Sequence, residues 1–422
     1  MVESLTAGTM SELTIVRLGA RGDGIAETAG GPVYVAYALP NERVRVAVDG
    51  SRGMLAEVIE PSREREAPVC RHFTVCGGCA TQHMARAAER DWKAQLVRTA
   101  FSQQRIDAPM RPMMASEPGT RRRAVFAARR AGSGGVVFGF HAQSEHRIVD
   151  LAECPVLSPA ISGRLSGLRA LAGVLLSRSG EARLTVTEAD NGIDVAVADG
   201  KPLLTMDDRA AIPGLARAAR IIRLSIGGET VFESVQPLLK FGLADVALPP
   251  GVFLQAVPAA EARMTGLIVA ACGKAKRVAD LFSGAGTFSF ALAVRAQVLA
   301  VDSDKAAIGA LQEAARRTQG IKPMTSKVRD LLLEPLSAKE LEGFDAVVFD
   351  PPRAGADAQA HAVARSKVKT VIAVSCAPGT LARDVRTLID GGYELESVTP
   401  VDQFVFSAHV EAIAVLRRPR TK

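Results

Sequence analysis

Apolar positions in this chain come in short runs, and the pattern separating them changes along its length. Over residues 11–60 the runs at 13–16, 32–35, 43–48 and 54–59 are rich in strand-forming residues. Turn chemistry parts them: Arg21-Gly22-Asp23-Gly24, Gly30-Gly31-Pro32 and Asp49-Gly50. Four or five such strands in about fifty residues predict a small closed barrel of the OB kind. Met84, Ala88, Trp92, Leu96 and Ala100 then recur every fourth residue, with Glu89, Arg90, Lys93 and Arg98 off that row. The spacing predicts a helix over about 84–105, packed through its apolar row. Residues 155–250 alternate helical and strand patterns, with a hairpin expected at Asn191-Gly192.

From residue 251 the pattern becomes regular. The runs 277–281, 298–301, 346–349, 371–374 and 412–416 are almost wholly apolar, with helical stretches among them. Strands of a parallel sheet buried on both faces read this way. The expected fold class is α/β. A Rossmann-like domain is expected over 251–422, an OB-like barrel over 1–62 and a central α+β domain over 63–250.

Length and composition agree. A chain of 422 residues is long for one core. No apolar run reaches the length of a membrane span, and the first residues lack a charged-then-apolar signal pattern. A cytoplasmic protein is expected, with no membrane and no obligatory protein partner. Its six cysteines then read as ligands, nucleophiles or core residues rather than disulfides. Residues 61–150 hold 15 Lys and Arg against 8 Asp and Glu, a surplus that equals the whole net charge of +7. This basic segment suits a polyanionic partner, or is a solvated face with none.

Within it, Arg121, Arg122, Arg123, Arg129 and Arg130 flank Phe126 and an expected turn at Gly132-Ser133-Gly134-Gly135. They suit phosphate contacts beside a stacked base, or equally the charged protection of an exposed edge strand. Cys70, Cys76 and Cys79 stand close together, with Gly77-Gly78 between the last two and Cys154-Pro155 far downstream. The spacing differs from the paired Cys-x2-Cys units of structural zinc. Four thiolates with a proline after the last suit an iron–sulfur cluster. His72 and His83 keep a zinc site open, and reduced core cysteines are the plain alternative. Cys272 has no such context and is expected in the core.

Candidate chemistry lies in the C-terminal part. Asp280-Leu281-Phe282-Ser283-Gly284-Ala285-Gly286-Thr287 joins a strand to a helix, and the next strand ends at Asp302. An acidic residue there can bond a ribose diol, while the glycines let backbone approach a nucleoside. Ser289 stands where a dinucleotide pattern has its third glycine, so S-adenosylmethionine is the better fit. Asp330 would lie near the adenine edge, although Asp280 and Asp330 also read as helix caps. Asp350-Pro351-Pro352-Arg353 and Ser375-Cys376-Ala377-Pro378-Gly379-Thr380 each follow a buried strand, at the sheet edge where such folds bind ligands.

Enzymes acting on exocyclic amines tend to carry an aromatic after the two prolines; here it is Arg353, and a thiol follows. That combination points to a carbon needing covalent activation. Addition of a thiolate at C6 of a pyrimidine makes C5 carbanionic. After methyl transfer, a base must remove the C5 proton so that sulfur can leave. Cys376 is the expected nucleophile, at a helix start whose dipole favours a thiolate. Glu411, heading the last apolar strand, is the expected base. The plain alternatives are a small strand-end cysteine and a surface glutamate.

Taken together, these residues resemble the RNA uracil-C5 methyltransferases, and among them the 23S ribosomal RNA type with a TRAM barrel and a four-iron cluster. The resemblance rests on Gly22-Asp23-Gly24-Ile25-Ala26 with 35–44, the four cysteines, Phe253-Leu254-Gln255, 280–286, 350–355, Ser375-Cys376 and His409-Val410-Glu411. It implies Cys376 as nucleophile and Glu411 as base. It implies S-adenosylmethionine contacts from Gln255, Phe282, Thr287, Asp302, Asp330 and Asp350. It further implies a [4Fe-4S] cluster on Cys70, Cys76, Cys79 and Cys154, RNA as partner, and the Trp92 helix packed on the catalytic domain. The chain departs from the family pattern at Val257, Ala373, Ala377, Val405 and Phe406, and less sharply at Thr287 and Asp302. Other readings of the same residues are a transfer-RNA uridine methyltransferase and a catalytically silent RNA-binding assembly factor.

Overall fold

The structure, a computed structural model, describes residues 9–132, 134–143, 145–177, 180–200 and 204–419. The N-terminal sheet has six strands: Thr9–Thr14, Arg17–Leu18, Gly24–Thr28, Gly31–Val35, Arg43–Asp49 and Arg52–Glu60. The first two in the chain lie at opposite edges of this sheet, joined only through Ile15 and Val16. The Val16 amide reaches the Ile25 carbonyl at 2.9 Å. The sheet therefore curls back on itself around Ile15, Ala26, Val33, Val35, Val44 and Val46.

A second sheet follows, with Arg123–Arg130 between Val136–His141 and Glu181–Ala189. That strand is interior, so the edge-strand expectation fails. Several arginines around it already have protein partners. Arg122 is buried against Glu261, Arg129 pairs with Glu181 at 2.8 Å, and Arg130 bonds the Gly173 carbonyl at 2.9 Å. Phe126 is buried, stacked on Phe138 and Phe140 with centroids 4.8 and 4.9 Å away. Ser133 of the expected turn lies outside the described residues. The hairpin Glu181–Ala189 with Gly192–Val197 forms as expected.

The C-terminal sheet has eight strands. Its order is Met324–Val328, Gln297–Asp302, Arg277–Leu281, Ala346–Phe349, Thr370–Ser375, Glu411–Arg417, Glu394–Asp402 and Met114–Ala115. The first five run parallel, and Glu411–Arg417 runs antiparallel to both of its neighbours. This is the Rossmann-like arrangement expected from the apolar runs. Cys272 is buried, as expected.

The Arg86–Gln103 helix packs on this sheet through a face that the sequence hides. Its buried residues are Glu89, Lys93, Val97, Ala100 and Phe101, whereas Ala88, Trp92 and Leu96 of the expected row are only partly buried. Lys93 is fully buried because Asp402 reaches it at 2.6 Å and Glu89 at 2.8 Å. A charged row is buried when partners meet it; the partner here is 309 positions away. Among the described residues, no helix is long and apolar enough to cross a membrane.

Candidate active site

Several strand ends meet at one edge of the C-terminal sheet. Ala346–Phe349 and Thr370–Ser375 end there, just before Asp350 and Cys376, and the antiparallel Glu411–Arg417 starts there. Ser375 pairs with Ala412. The same register carried one step further sets Cys376 opposite Glu411. Facing residues of an antiparallel pair have Cα atoms about 5 Å apart. The thiol feels the charges of both Glu411 and Asp350, so the three groups lie within interaction range of one another.

Two amides knit the carboxyls together. Gln255 Nε2 donates to Asp350 Oδ2 at 2.7 Å. Gln403 Nε2 donates to Gln255 Oε1 at 2.8 Å and to Glu411 Oε2 at 2.7 Å. Gln403 Oε1 in turn accepts from the Ala256 amide at 3.1 Å. Gln255, Gln403 and Glu411 are all buried. Burial pushes Asp350 upward against its bond from Gln255. Burial and the Asp350 charge push Glu411 up to about 8, with the Gln403 bond opposing them. Gln403 has no role in the sequence reading. The one signal for it is a pair of polar residues, Asp402-Gln403, closing an otherwise apolar strand end.

Cys376 corrects one expectation. The helix Pro378–Asp390 starts as predicted, with proline in its first turn. The thiol is nevertheless not depressed. Burial, then Glu411 and Asp350, push it up to about 11, against a smaller pull from Arg353. Arg353, which follows the two prolines, places Nη2 3.1 Å from His409 Nε2. Burial and the Arg353 charge lower the His409 pKa and favour its neutral ring.

The glycine loop sits beside this crevice. Asp302 accepts from the Gly284 and Asp304 amides, each at 2.8 Å, and so fixes the loop to the neighbouring strand. Gly286 has φ +100°, and a Cβ there would lie 2.7 Å from Phe290 Cε2. Only glycine passes this point. Phe282, with φ +59°, is a left-handed residue that is not glycine. Such backbone is held by its surroundings and is common at functional turns. Thr287 is half-buried at the end of the loop. Asp280 is buried in its strand, accepts from Ser289 Oγ at 2.5 Å and also bonds the Ser289 backbone amide, at the start of the Ser289–Ala293 helix. Asp330 is exposed and accepts from the Leu332 amide at 2.9 Å, a capping geometry.

The cysteines gather elsewhere. Cys70, Cys76, Cys79 and Cys154 line one cavity of about 290 Å³, with Phe140, Leu151 and Arg121 among its walls. Among the described residues, no three His, Cys, Asp or Glu side chains are grouped so as to hold one metal ion. Four thiols spread around a cavity suit a larger group than a single ion, and thiolate donors match an iron–sulfur cluster. His83 is not on that cavity. It packs on Phe73 with centroids 5.6 Å apart, and burial lowers it to about 4. His72 lines the cavity, but its Nε2 accepts from the Ala152 amide at 3.2 Å.

Comparison with known proteins gives a family. The model of the tRNA (uracil-5-)-methyltransferase family matches residues 247–419, which span Gln255 to Glu411. An uncharacterized RNA methyltransferase of Brucella suis is 47% identical over 99% of this chain and 100% of its own length. A 23S rRNA (uracil-C5) methyltransferase of Halomonas elongata is 33% identical over 97% of this chain and 89% of its own length. The Pyrococcus abyssi tRNA (uracil-54, C5) methyltransferase, solved with S-adenosyl-L-homocysteine, shares the fold. Its TM-score is 0.75 at 20% identity, covering 96% of this chain and 99% of that one. By its sequence relatives, and with a fold to match, the chain belongs to the RNA uracil-C5 methyltransferases.

Proposed function

We propose that this protein methylates C5 of a uridine in RNA, 23S ribosomal RNA being the first candidate, with Cys376 as nucleophile and Glu411 as base. The observation that carries the reading is the pairing of Ser375 with Ala412 at the mouth of the sheet, a register that brings the next residues, Cys376 and Glu411, toward each other. S-adenosylmethionine supplies an electrophilic methyl group. Cys376 Sγ bonds to C6 of the uracil ring and the C5–C6 double bond opens toward C5. C5 takes the methyl group. Glu411 then removes the C5 proton, the double bond re-forms, and the C6–S bond breaks to return the thiolate. A carboxyl raised toward the working pH is a stronger base than an ordinary one. Cys376, raised as well, must lose its proton first; Arg353 is the cation beside it that favours the anion.

The backbone at Gly284 and Gly286, with Phe282, Thr287 and Asp302, is proposed to hold the cofactor, and Asp330 to flank its adenine. Gln255 and Asp350 would face its methyl end. Cys70, Cys76, Cys79 and Cys154 are proposed to hold a [4Fe-4S] cluster with a structural and RNA-positioning role, since the methyl transfer needs no electrons. The curled N-terminal sheet is proposed as a TRAM-type RNA contact. The Halomonas relative supports 23S RNA. The family description supports transfer RNA as the rival substrate.

Incubation with 5-fluorouridine RNA and cofactor tests the mechanism. Fluorine at C5 cannot leave as a proton does, so a denaturation-resistant adduct on Cys376 is expected. Absence of any adduct, with 23S and transfer RNA both tried, sinks the assignment. Iron and sulfide assays on anaerobic protein test the cysteine reading; stoichiometric zinc without iron refutes it.

A further inference from the structure

The reaction as written leaves one buried group of charges unused. Arg86, Glu89 and Lys93 of the Arg86–Gln103 helix meet Asp402 beneath the segment that leads to Glu411. Glu89, Lys93 and Asp402 are wholly buried. Their bonds fall on both sides of Gln403. Before it, Asp402 takes Lys93 at 2.6 Å and Arg86 at 2.9 Å. After it, Lys93 Nζ donates to the Phe404 carbonyl at 2.9 Å. Further on, the Phe406 amide donates to Glu89 Oε1 at 2.8 Å, and the Phe406 carbonyl accepts from Ala80 at 2.7 Å. Phe406 is left-handed, with φ +63°, although it is not glycine. The segment is therefore held in a conformation that it would not favour alone.

We propose that Glu89 and Lys93 are positioning residues that fix the 402–406 segment so that Gln403 presents its amide to Glu411. The inference rests on Glu411 being the base. Holding the helix on the sheet does not need charges, because apolar side chains of similar volume do so at least as well. Charges add direction: they tie fixed points of the backbone on either side of one side chain. The nearest tie on the other side is Ala80, directly after Cys79, so the same clamp joins the base segment to the cysteine loop.

The test uses the full-length protein with its native metal content. Glu89→Gln keeps the shape and removes one charge. Glu89→Gln/Lys93→Met removes opposite charges together, leaves the Arg86–Asp402 pair, and covers the case in which the single variant does not fold. The base acts after the adduct forms, so a misplaced base should let the methylated adduct build up on ordinary uridine RNA. Product release should slow roughly 10–100-fold. Cofactor affinity should stay unchanged, and the Phe406 amide should exchange faster with solvent. Equal loss of adduct formation and product release, or no change in either, overturns the proposal. Glu411→Gln run alongside separates the two readings. If it builds up no adduct, the base assignment fails. If it does and the Glu89 variants do not, only the positioning role fails.

Discussion

Replacing Gln403 with leucine should move the pH dependence of the reaction and not merely its rate. The side chain is 2% exposed, so water does not take its place. Leucine would leave Glu411 Oε2, Gln255 Oε1 and the Ala256 amide without their bonds at 2.7, 2.8 and 3.1 Å. A hydrogen bond to a charged group is worth about 1.5–3 kcal/mol. Each pKa unit corresponds to about 1.4 kcal/mol, so the Glu411 pKa should rise by about 1–2 units. The sign follows from the charge state. Gln403 donates to the carboxylate and favours it, so its loss favours the neutral acid. The base is then present only at higher pH. The limb of the kcat profile that rises with pH should shift up by about 1–2 pH units, with rates below it down about 10–100-fold. Multiple-turnover release of free methylated RNA across a pH series measures this. A lower rate with an unmoved midpoint, or a midpoint moved toward acid, refutes the linkage between Gln403 and Glu411.

Other outcomes follow from the same geometry. Glu411 has a folded pKa raised to about 8, so its contribution to stability is full below the unfolded carboxyl value and lost as pH climbs through about 8. Glu411→Gln should flatten that fall in urea midpoints, and an unchanged slope counts against a buried, raised carboxyl. Gly286→Ala drives a Cβ to 2.7 Å from Phe290 at φ +100°. It should cost about 1–3 kcal/mol and weaken S-adenosylmethionine binding by calorimetry; wild-type affinity and stability would contradict the cradle. Cys79→Ser, or removal of the cluster proposed for the cysteines, should speed amide exchange at Ala80 and Thr81, whose amides both meet the Phe406 carbonyl. Protection unchanged there would uncouple the cysteine loop from the base segment.

What could be read from the residues was whatever local pattern fixes. Apolar runs placed Asp350, Cys376 and Glu411 at strand ends, and the three do lie near one another at one edge of the sheet. Their pairing could not be read, because the strand register joins residues far apart in sequence. The helix near Trp92 was legible in extent but not in orientation. An apolar row every fourth residue is a guide only where the opposing surface is apolar. Here Asp402 opposes it, and the charged row turns inward. The thiol was misjudged for a related reason. A helix start is visible in sequence, whereas the burial of the thiol and the two carboxyls arriving from other strands, which raise it, are not. Gln403 was missed because an amide bridging two buried groups has no spacing signature.

The Glu411–Arg417 strand lies between two strands that precede it in the chain. Until it inserts, Thr370–Ser375 and Glu394–Asp402 each present an unpaired edge inside the sheet. The reactive pair is therefore completed by the last strand of this sheet along the sequence. A nascent or partly opened molecule can keep its glycine loop while lacking any carboxyl facing the thiol. Commitment of sulfur to RNA is thereby tied to closure of the whole sheet.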